Sequence, residues 1–255
     1  VTLELGGKSP AIIAPDYPIR TATQRIAYGK FLNAGQTCIA PDYVLLARAQ
    51  IPGFVEAMRE YVSGAYPDIV ASPDYTSIVN ERQYARLSKY LDEARARGAT
   101  VIELGAHDRA RRVLAPTLVL DAPADLALMR DEIFGPILPL IACESVEAAI
   151  AHVNAGPRPL ALYHFDHDRA RTRRVLDGTV AGGVTINDVV LHIAQSELPF
   201  GGVGPSGMGH YHGREGFLAF SKQKPVMYQA RWSSMALMRP PYGKLADFLV
   251  RFLTR

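Results

Sequence analysis

Asn33-Ala34-Gly35-Gln36-Thr37-Cys38-Ile39-Ala40-Pro41 joins two segments of different periodicity. Upstream, from about residue 18 to 33, Ile19, Ile26, Phe31 and Leu32 recur at the spacing of an amphipathic helix. Downstream, Tyr43-Val44-Leu45-Leu46 is a short apolar run of the kind that makes a buried strand. The loop between them carries a lone thiol. Free cysteine behaves as a small hydrophobe and often serves only to pack a core. Here Gly35 can end the helix, Gln36 and Thr37 offer hydrogen bonds, and Pro41 closes the loop, a poor setting for a core plug. A nucleophile fits better, because thiolate is the most reactive of the side-chain nucleophiles and adds to carbonyl carbon.

The same alternation extends in both directions. Val1 to Leu5 alternates as a strand and breaks at Gly6-Gly7, which leaves Glu4 near the strand's end, within reach of a site. Phe54 to Tyr61 predicts a helix, Asn80 to Arg97 a longer one with a charged outer face, and Thr100 to Leu104 an apolar strand. Thr117 to Leu120 follows, then Ala127-Leu128-Met129 before the turn Glu132-Ile133-Phe134-Gly135-Pro136, and a strand from Ile137 to Ile141. Ser145 suits the N-cap of a helix to Val153, with Glu147 supplying early negative charge. Leu160 to Phe165 reads as strand, Asp168 to Leu176 as helix and Gly183 to Ile186 as strand. The pattern predicts an α/β fold with a largely parallel sheet covered by helices on both faces.

The last quarter departs from that rhythm. Residues 198–209 form a glycine-rich loop, Lys224 to Tyr228 reads as an edge strand, and Lys244 to Leu253 as a short amphipathic tail helix suited to docking or a subunit contact. The expected division is a catalytic domain over residues 1–221 and an oligomerisation strand and tail over residues 222–255.

With 255 residues and 48% hydrophobic content, the chain can bury a substantial core. Its 28 basic and 25 acidic residues are interspersed, so no block suggests a nucleic-acid surface, and a small molecule is the expected partner. Cys38 and Cys143 make no CxxC pair, which argues against a zinc knuckle or a disulfide scaffold and for a reducing, cytoplasmic setting. No apolar run has the length to span a bilayer, and no secretory signal pattern opens the chain. It opens in mid-strand pattern without methionine and reads as the downstream part of something longer.

Several motif matches fail on inspection. Gly202 to Gly207 has the letters of a dinucleotide fingerprint, but Pro205 lies inside it and no acid follows at the required distance. Gly7-Lys8-Ser9 lacks the first glycine of a phosphate loop, and Met208 replaces the second glycine of a serine-hydrolase elbow around Ser206. His210 and His212 have only Glu215 close by, so no metal site is expected.

Taken together, Glu4-Leu5-Gly6-Gly7-Lys8-Ser9-Pro10 and Phe31-Leu32-Asn33-Ala34-Gly35-Gln36-Thr37-Cys38 resemble the glutamate and cysteine signatures of the aldehyde dehydrogenase superfamily, and their separation of 34 residues matches it too. The Glu132–Pro136 turn, Asn187-Asp188 and the Leu198-Pro199-Phe200-Gly201-Gly202 loop extend the resemblance over nearly the whole chain. Residues 183–192, 207–213 and Arg239-Pro240-Pro241-Tyr242-Gly243 resemble its class-three branch, with coniferyl-aldehyde-oxidising members the nearest likeness.

The resemblance implies NAD- or NADP-dependent oxidation of an aldehyde, aromatic as in coniferyl aldehyde or medium- to long-chain aliphatic. Cys38 would form a thiohemiacetal, pass hydride to the nicotinamide and become a thioester, which water releases as acid. Glu4 would be the general base, a role that calls for partial burial, and the Cys38 backbone N–H one oxyanion donor, worth about 3 kcal/mol. Glu132 would bind the nicotinamide ribose, with Phe134, Leu5 and Gly6 beside the ring. Thr37, Ile39, Thr185 and Phe200 would line the substrate pocket, and Asn187 would be a neighbouring structural residue that orients the cysteine loop. A core role competes for Phe134, and Cys143 is expected to be inert. The family's Rossmann half is missing upstream, so the piece alone would oxidise aldehydes weakly or not at all; the expected assembly is a homodimer. Two other readings stay open: a cofactor-free cysteine hydrolase and a non-catalytic assembly fragment.

Overall fold

The computed structural model describes residues 1–233, 240 and 242–254. Arg239 and Pro241 of the class-three-like motif lie outside the described residues.

The chain opens with a two-residue strand, β1 (Leu3–Glu4), and then enters β2 (Pro10–Ile13), whose four residues are all buried. Proline at the start of β2 gives up no ladder bond that the strand needs. Helix α1 (Ile19–Phe31) follows and ends at Leu32, and a left-handed turn through Asn33–Gly35 leads on towards β3 (Tyr43–Leu46). Next come α2 (Ile51–Ala65) and α3 (Glu81–Ala96), the latter capped by the Asn80 side chain, which accepts the Gln83 N–H. Strands β4 (Thr100–Glu103) and β5 (Thr117–Leu120), the single turn α4 (Ala127–Arg130) and β6 (Ile137–Ala142) complete one side of the sheet. Helix α5 (Val146–Ala155) is capped by Ser145, as its sequence predicts, and leads to β7 (Ala161–Phe165). Asp168 caps α6 (Arg169–Gly178) by accepting two backbone N–H groups, and β8 (Gly183–Ile186) closes the sheet. Beyond it lie β9 (Gly207–Met208), α7 (Gly213–Ala219) and α8 (Lys244–Leu253).

Seven strands run in the order β4-β5-β6-β3-β2-β7-β8. All neighbours are parallel except β4 and β5; β4 is the antiparallel edge, with Thr100 and Glu103 exposed and the apolar Val101 and Ile102 half-buried against the core. Strand periodicity divides the core. Ala11, Ile13, Val44, Leu46, Tyr163 and Phe165 face the side packed by α1, α2 and α3, where Ile26, Phe54, Met58 and Leu87 are buried. Ile12, Tyr43, Leu45 and Leu162 face the opposite side, against Val146, Ala149 and Val153 of α5 and Val175 of α6. Both faces are therefore sealed, as a parallel sheet requires. Strand β1 stands apart and pairs antiparallel with β9, Glu4 opposite Gly207.

Two compact units emerge, Val1–Phe220 and Ser221–Arg255. Within the second, α8 has the bounds its amphipathic pattern predicts. The expected edge strand at Lys224 to Tyr228 is not formed: among the described residues no strand pairs with it, and a strand needs a ladder partner to exist. Among the described residues, no helix is long and apolar enough to cross a membrane.

Candidate active site

The cysteine loop leaves α1 through three left-handed residues, Asn33 (φ 52°), Ala34 (φ 51°) and Gly35 (φ 73°). Alanine in this region costs on the order of 1 kcal/mol, so the surroundings must hold it. They do. Gln36 donates through Nε2 to the carbonyls of Asn33 and Ser77, each at 3.1 Å, and accepts the Val79 N–H at 2.9 Å. Past the thiol, the buried Tyr163 hydroxyl donates to the Ile39 carbonyl. Gly35 also presses on the Glu132–Pro136 turn: a Cβ there would lie 2.3 Å from the Gly135 carbonyl oxygen.

This conformation brings the half-buried Cys38 to the end of β1, where its thiol donates to Glu4 Oε1 at 3.2 Å. Burial first, then the hydrogen bond to Glu4 and the charges of Glu4 and Glu132, push the thiol up to about 12. In the resting chain Cys38 is therefore a protonated donor, not a thiolate. Glu4 itself is exposed rather than partly buried. Its other oxygen, Oε2, accepts the hydroxyl of Tyr211.

Beneath these groups, the carboxylate of Asp42 is buried and joins three segments. It accepts the Lys8 ammonium, which lies just past Gly6-Gly7, and the Ile133 N–H at 2.9 Å. Lys8 also donates to the Leu128 and Asp131 carbonyls, both at 2.9 Å. Arg86 on α3 holds the turn from the other side, donating to the Ile133 carbonyl at 2.7 Å. Glu132 is thus fixed with its carboxylate over Gly6, where a Cβ would meet it at 2.7 Å. Burial raises Glu132 to about 7, opposed by the Gly7 N–H and by Lys8 and Lys30. Lys30, in the last turn of α1, is fully buried and has no hydrogen-bond partner among the described residues, and burial lowers its amine to about 8.

The remaining expected residues are dispersed around this centre. Phe134 is left-handed (φ 49°) and 40% exposed, so it is not a core residue; it borders a pocket of about 300 Å³ with Asn33, Gln36, Thr76, Ser77 and Val79. Leu5 is exposed and donates its N–H to the Ser206 carbonyl at 2.9 Å. Thr37 flanks the thiol and is half-buried. Ile39 and Phe200 are 1% and 2% exposed, so neither offers open surface to a ligand in this conformation. Thr185 shares a hydrogen bond with His192 at 2.9 Å, under Phe200. Asn187 binds both backbone groups of Asp166 and accepts Arg25 of α1 on its own carbonyl, so its hydrogen bonds reach the helix that leads to the cysteine loop. Cys143 is half-buried against the second core and is not part of the cluster.

Asp42, Lys8, Arg86, Lys30 and Tyr211 were not singled out by the sequence reading. For Asp42 and Lys8 a signal existed, two opposite charges 34 residues apart, the same offset as Cys38 and Glu4.

The family model "Aldehyde dehydrogenase family" matches residues 1–226. The chain belongs to the aldehyde dehydrogenase family. A relative from Pseudomonas aeruginosa named "Probable coniferyl aldehyde dehydrogenase" is 54% identical over 98% of this chain and 52% of its own length. "Coniferyl aldehyde dehydrogenase" of a Pseudomonas species is 44% identical over 99% of this chain and 54% of its own. Among solved aldehyde dehydrogenase structures, "Substrate bound state of Staphylococcus Aureus AldH" superposes with a TM-score of 0.85 at 40% identity, covering 99% of this chain and 55% of that one. The chain thus spans about half the length of the aldehyde dehydrogenases it matches.

Proposed function

We propose that Cys38 and Glu4 are the nucleophile and general base of an NAD- or NADP-dependent aldehyde oxidation that yields a carboxylic acid. The observation that carries this reading is the 3.2 Å hydrogen bond from the Cys38 thiol to Glu4. As sulfur adds to the carbonyl carbon, the thiol proton passes to Glu4 Oε1 and the carbonyl electron pair moves onto oxygen, where the Cys38 N–H is a donor. The product is the thiohemiacetal anion on Cys38. Before water attacks the cysteine thioester, Glu4, which is exposed, passes the thiol's proton to solvent; it then takes a proton from the attacking water and returns it to the departing sulfur, so that the acid leaves as the thiol re-forms.

Glu132 suits a ribose diol. It is a half-buried carboxylate with acceptor capacity beyond the Gly7 N–H, and Gly6, with no Cβ, lets it approach. Glu132 would hold the ribose hydroxyls of a nicotinamide dinucleotide, with Leu5, Gly6 and Phe134 by the ring. That group, when bound, supplies the two-electron acceptor for the Cys38 adduct.

The substrate class we favour is an aromatic aldehyde of the coniferyl type, with medium- and long-chain aliphatic aldehydes second; the likeness to the Pseudomonas relatives supports that order. Thr37, Ile39, Thr185 and Phe200 form its walls once side chains adjust. We assign residues 1–221 to catalysis and 222–255 to subunit contact in a homodimer. Val226, Met227 and Tyr228 are exposed on a segment free to add as a strand to a second copy. The free cysteines fit a cytoplasmic setting.

The test is NADH or NADPH formation with coniferaldehyde and with octanal, by this chain and by the full-length natural gene product, each beside Cys38→Ser. Turnover abolished by the substitution is expected. Ester hydrolysis that needs Cys38 but no dinucleotide would replace the dehydrogenase by a hydrolase.

A further inference from the structure

The phenol bound to Glu4 comes from 207 residues further along the chain, and the backbone there is built to deliver it. Phe200 and Tyr211 exchange both backbone hydrogen bonds, each 2.8 Å, which fixes the two ends of the glycine-rich loop against each other. Within that loop, a Cβ on Gly201 would lie 2.1 Å from the Gly209 carbonyl oxygen, and one on Gly207 would lie 2.2 Å from the Leu3 carbonyl oxygen. Only glycine permits this approach, and it seats β9 beside β1. The Tyr211 ring is then gripped edge-on by Phe200, with centroids 5.7 Å apart, and by His212 at 4.8 Å. Glu4, by contrast, is exposed and sits on a strand of two residues. Among the described residues, its carboxylate has two hydrogen-bond donors, Cys38 and Tyr211.

We propose that Tyr211 is the positioning residue of Glu4: its hydroxyl pins one carboxylate oxygen so that the other faces the Cys38 thiol. The inference rests on the reading of Glu4 and Cys38 as base and nucleophile. Burial and the neighbouring Glu4 carboxylate push the phenol up to about 12, so Tyr211 stays a neutral donor at working pH and does not compete as a base. The geometry also survives proton transfer. When Glu4 gains a proton on Oε1, Oε2 becomes the carbonyl oxygen and still accepts the phenol, so the carboxyl need not rotate between steps. Without the hydroxyl, the exposed side chain is free to turn away, and the thiol loses both its acceptor and a close negative charge.

Cys38 reports this directly, with no cofactor present. The charged groups that face it are Glu4 and Glu132; Tyr211 is faced by Glu4, by Cys38 and by the ring of His212. The experiment is the rate of Cys38 alkylation by iodoacetamide between about pH 7 and 11, read by mass on the Cys38 peptide, in the wild-type chain, Tyr211→Phe and Glu4→Gln. Tyr211→Phe keeps the ring and its packing. We expect about tenfold faster alkylation at pH 8 in Tyr211→Phe, its rate profile lying about 1 pH unit below the wild type's across the range, and at least as large a change in Glu4→Gln. A Tyr211→Phe profile that overlays the wild type, or moves to higher pH, while Glu4→Gln moves down overturns the positioning role and leaves the base standing. If Glu4→Gln also overlays, Glu4 and Cys38 are uncoupled and both readings fall. A second measurement needs no Tyr211 variant. By stopped-flow phenolate absorbance, one of the 12 tyrosines is expected to titrate at lower pH in Glu4→Gln, and identical curves overturn the proposal.

Discussion

Gly35 of the cysteine loop and Gly135 of the Glu132 turn meet backbone to backbone, so closely that a Cβ on Gly35 would lie 2.3 Å from the Gly135 carbonyl oxygen. The thiol and the half-buried carboxylate thus share one rigid contact. Gly35→Ala adds both a clash and a side chain at φ 73°. We expect a loss of at least about 2 kcal/mol by urea unfolding, together with a changed rate of Cys38 alkylation. Wild-type stability would mean that the two loops can part without cost.

Asp42 carries more of the site than its position suggests. Asp42→Ala leaves the Lys8 ammonium and the Ile133 N–H without their buried acceptor, and we expect a loss of about 3–5 kcal/mol. Replacing both partners, Asp42→Leu with Lys8→Met, should cost less than the single change, because no buried charge is stranded. A double variant as unstable as the sum of the singles would contradict that account.

Glu132 ties stability to acid. Its carboxyl is raised from 4.5 to about 7, so between those values the folded chain keeps a proton that the unfolded chain has released. Stability contributed by this group is therefore full below about pH 4.5 and falls as pH rises towards 7. Glu132→Gln removes the dependence, and its advantage over wild type should grow by up to about 3 kcal/mol across that window. Parallel curves for the two proteins would place the carboxylate in solvent.

Lys30 works in the opposite direction. Its amine is lowered from 10.5 to about 8, so the folded chain gives up the proton first, and stability rises with pH between those values. Lys30→Met places an apolar chain of similar length in a fully buried slot. We expect it to be neutral or stabilising by about 1–3 kcal/mol at pH 7, with the gap closing above about pH 10.5. Thermal unfolding at pH 7 and 10.5 decides it.

Periodicity was most informative for short apolar runs bounded by turn residues. Tyr43–Leu46, Thr117–Leu120 and Gly183–Ile186 have the bounds their patterns predict. Strand β2, at the heart of the sheet, passed unread: its four residues follow a glycine pair and begin with proline, which looks like punctuation rather than structure. The edge strand expected at Lys224 to Tyr228 shows the converse, since a strand pattern describes only half of a ladder. In the site, Cys38 and Glu4 were legible because each ends a periodic element. Tyr211 was not, because its contact depends on how a glycine-rich loop folds across 207 residues of chain. Whether Ile39 and Phe200 are open or covered is decided by packing, which a motif does not record.

The proposed nucleophile and base are anchored in very different ways. Cys38 follows a helix sealed onto the main sheet, whereas Glu4 hangs on the paired dipeptides Leu3–Glu4 and Gly207–Met208. Local opening costs least where few buried apolar groups and few ladder bonds resist it. The clasp can therefore let go while the sheet stays intact, and in that state the thiol has no base beside it. Cys38 would be armed only for as long as two distant stretches of the chain remain in hand.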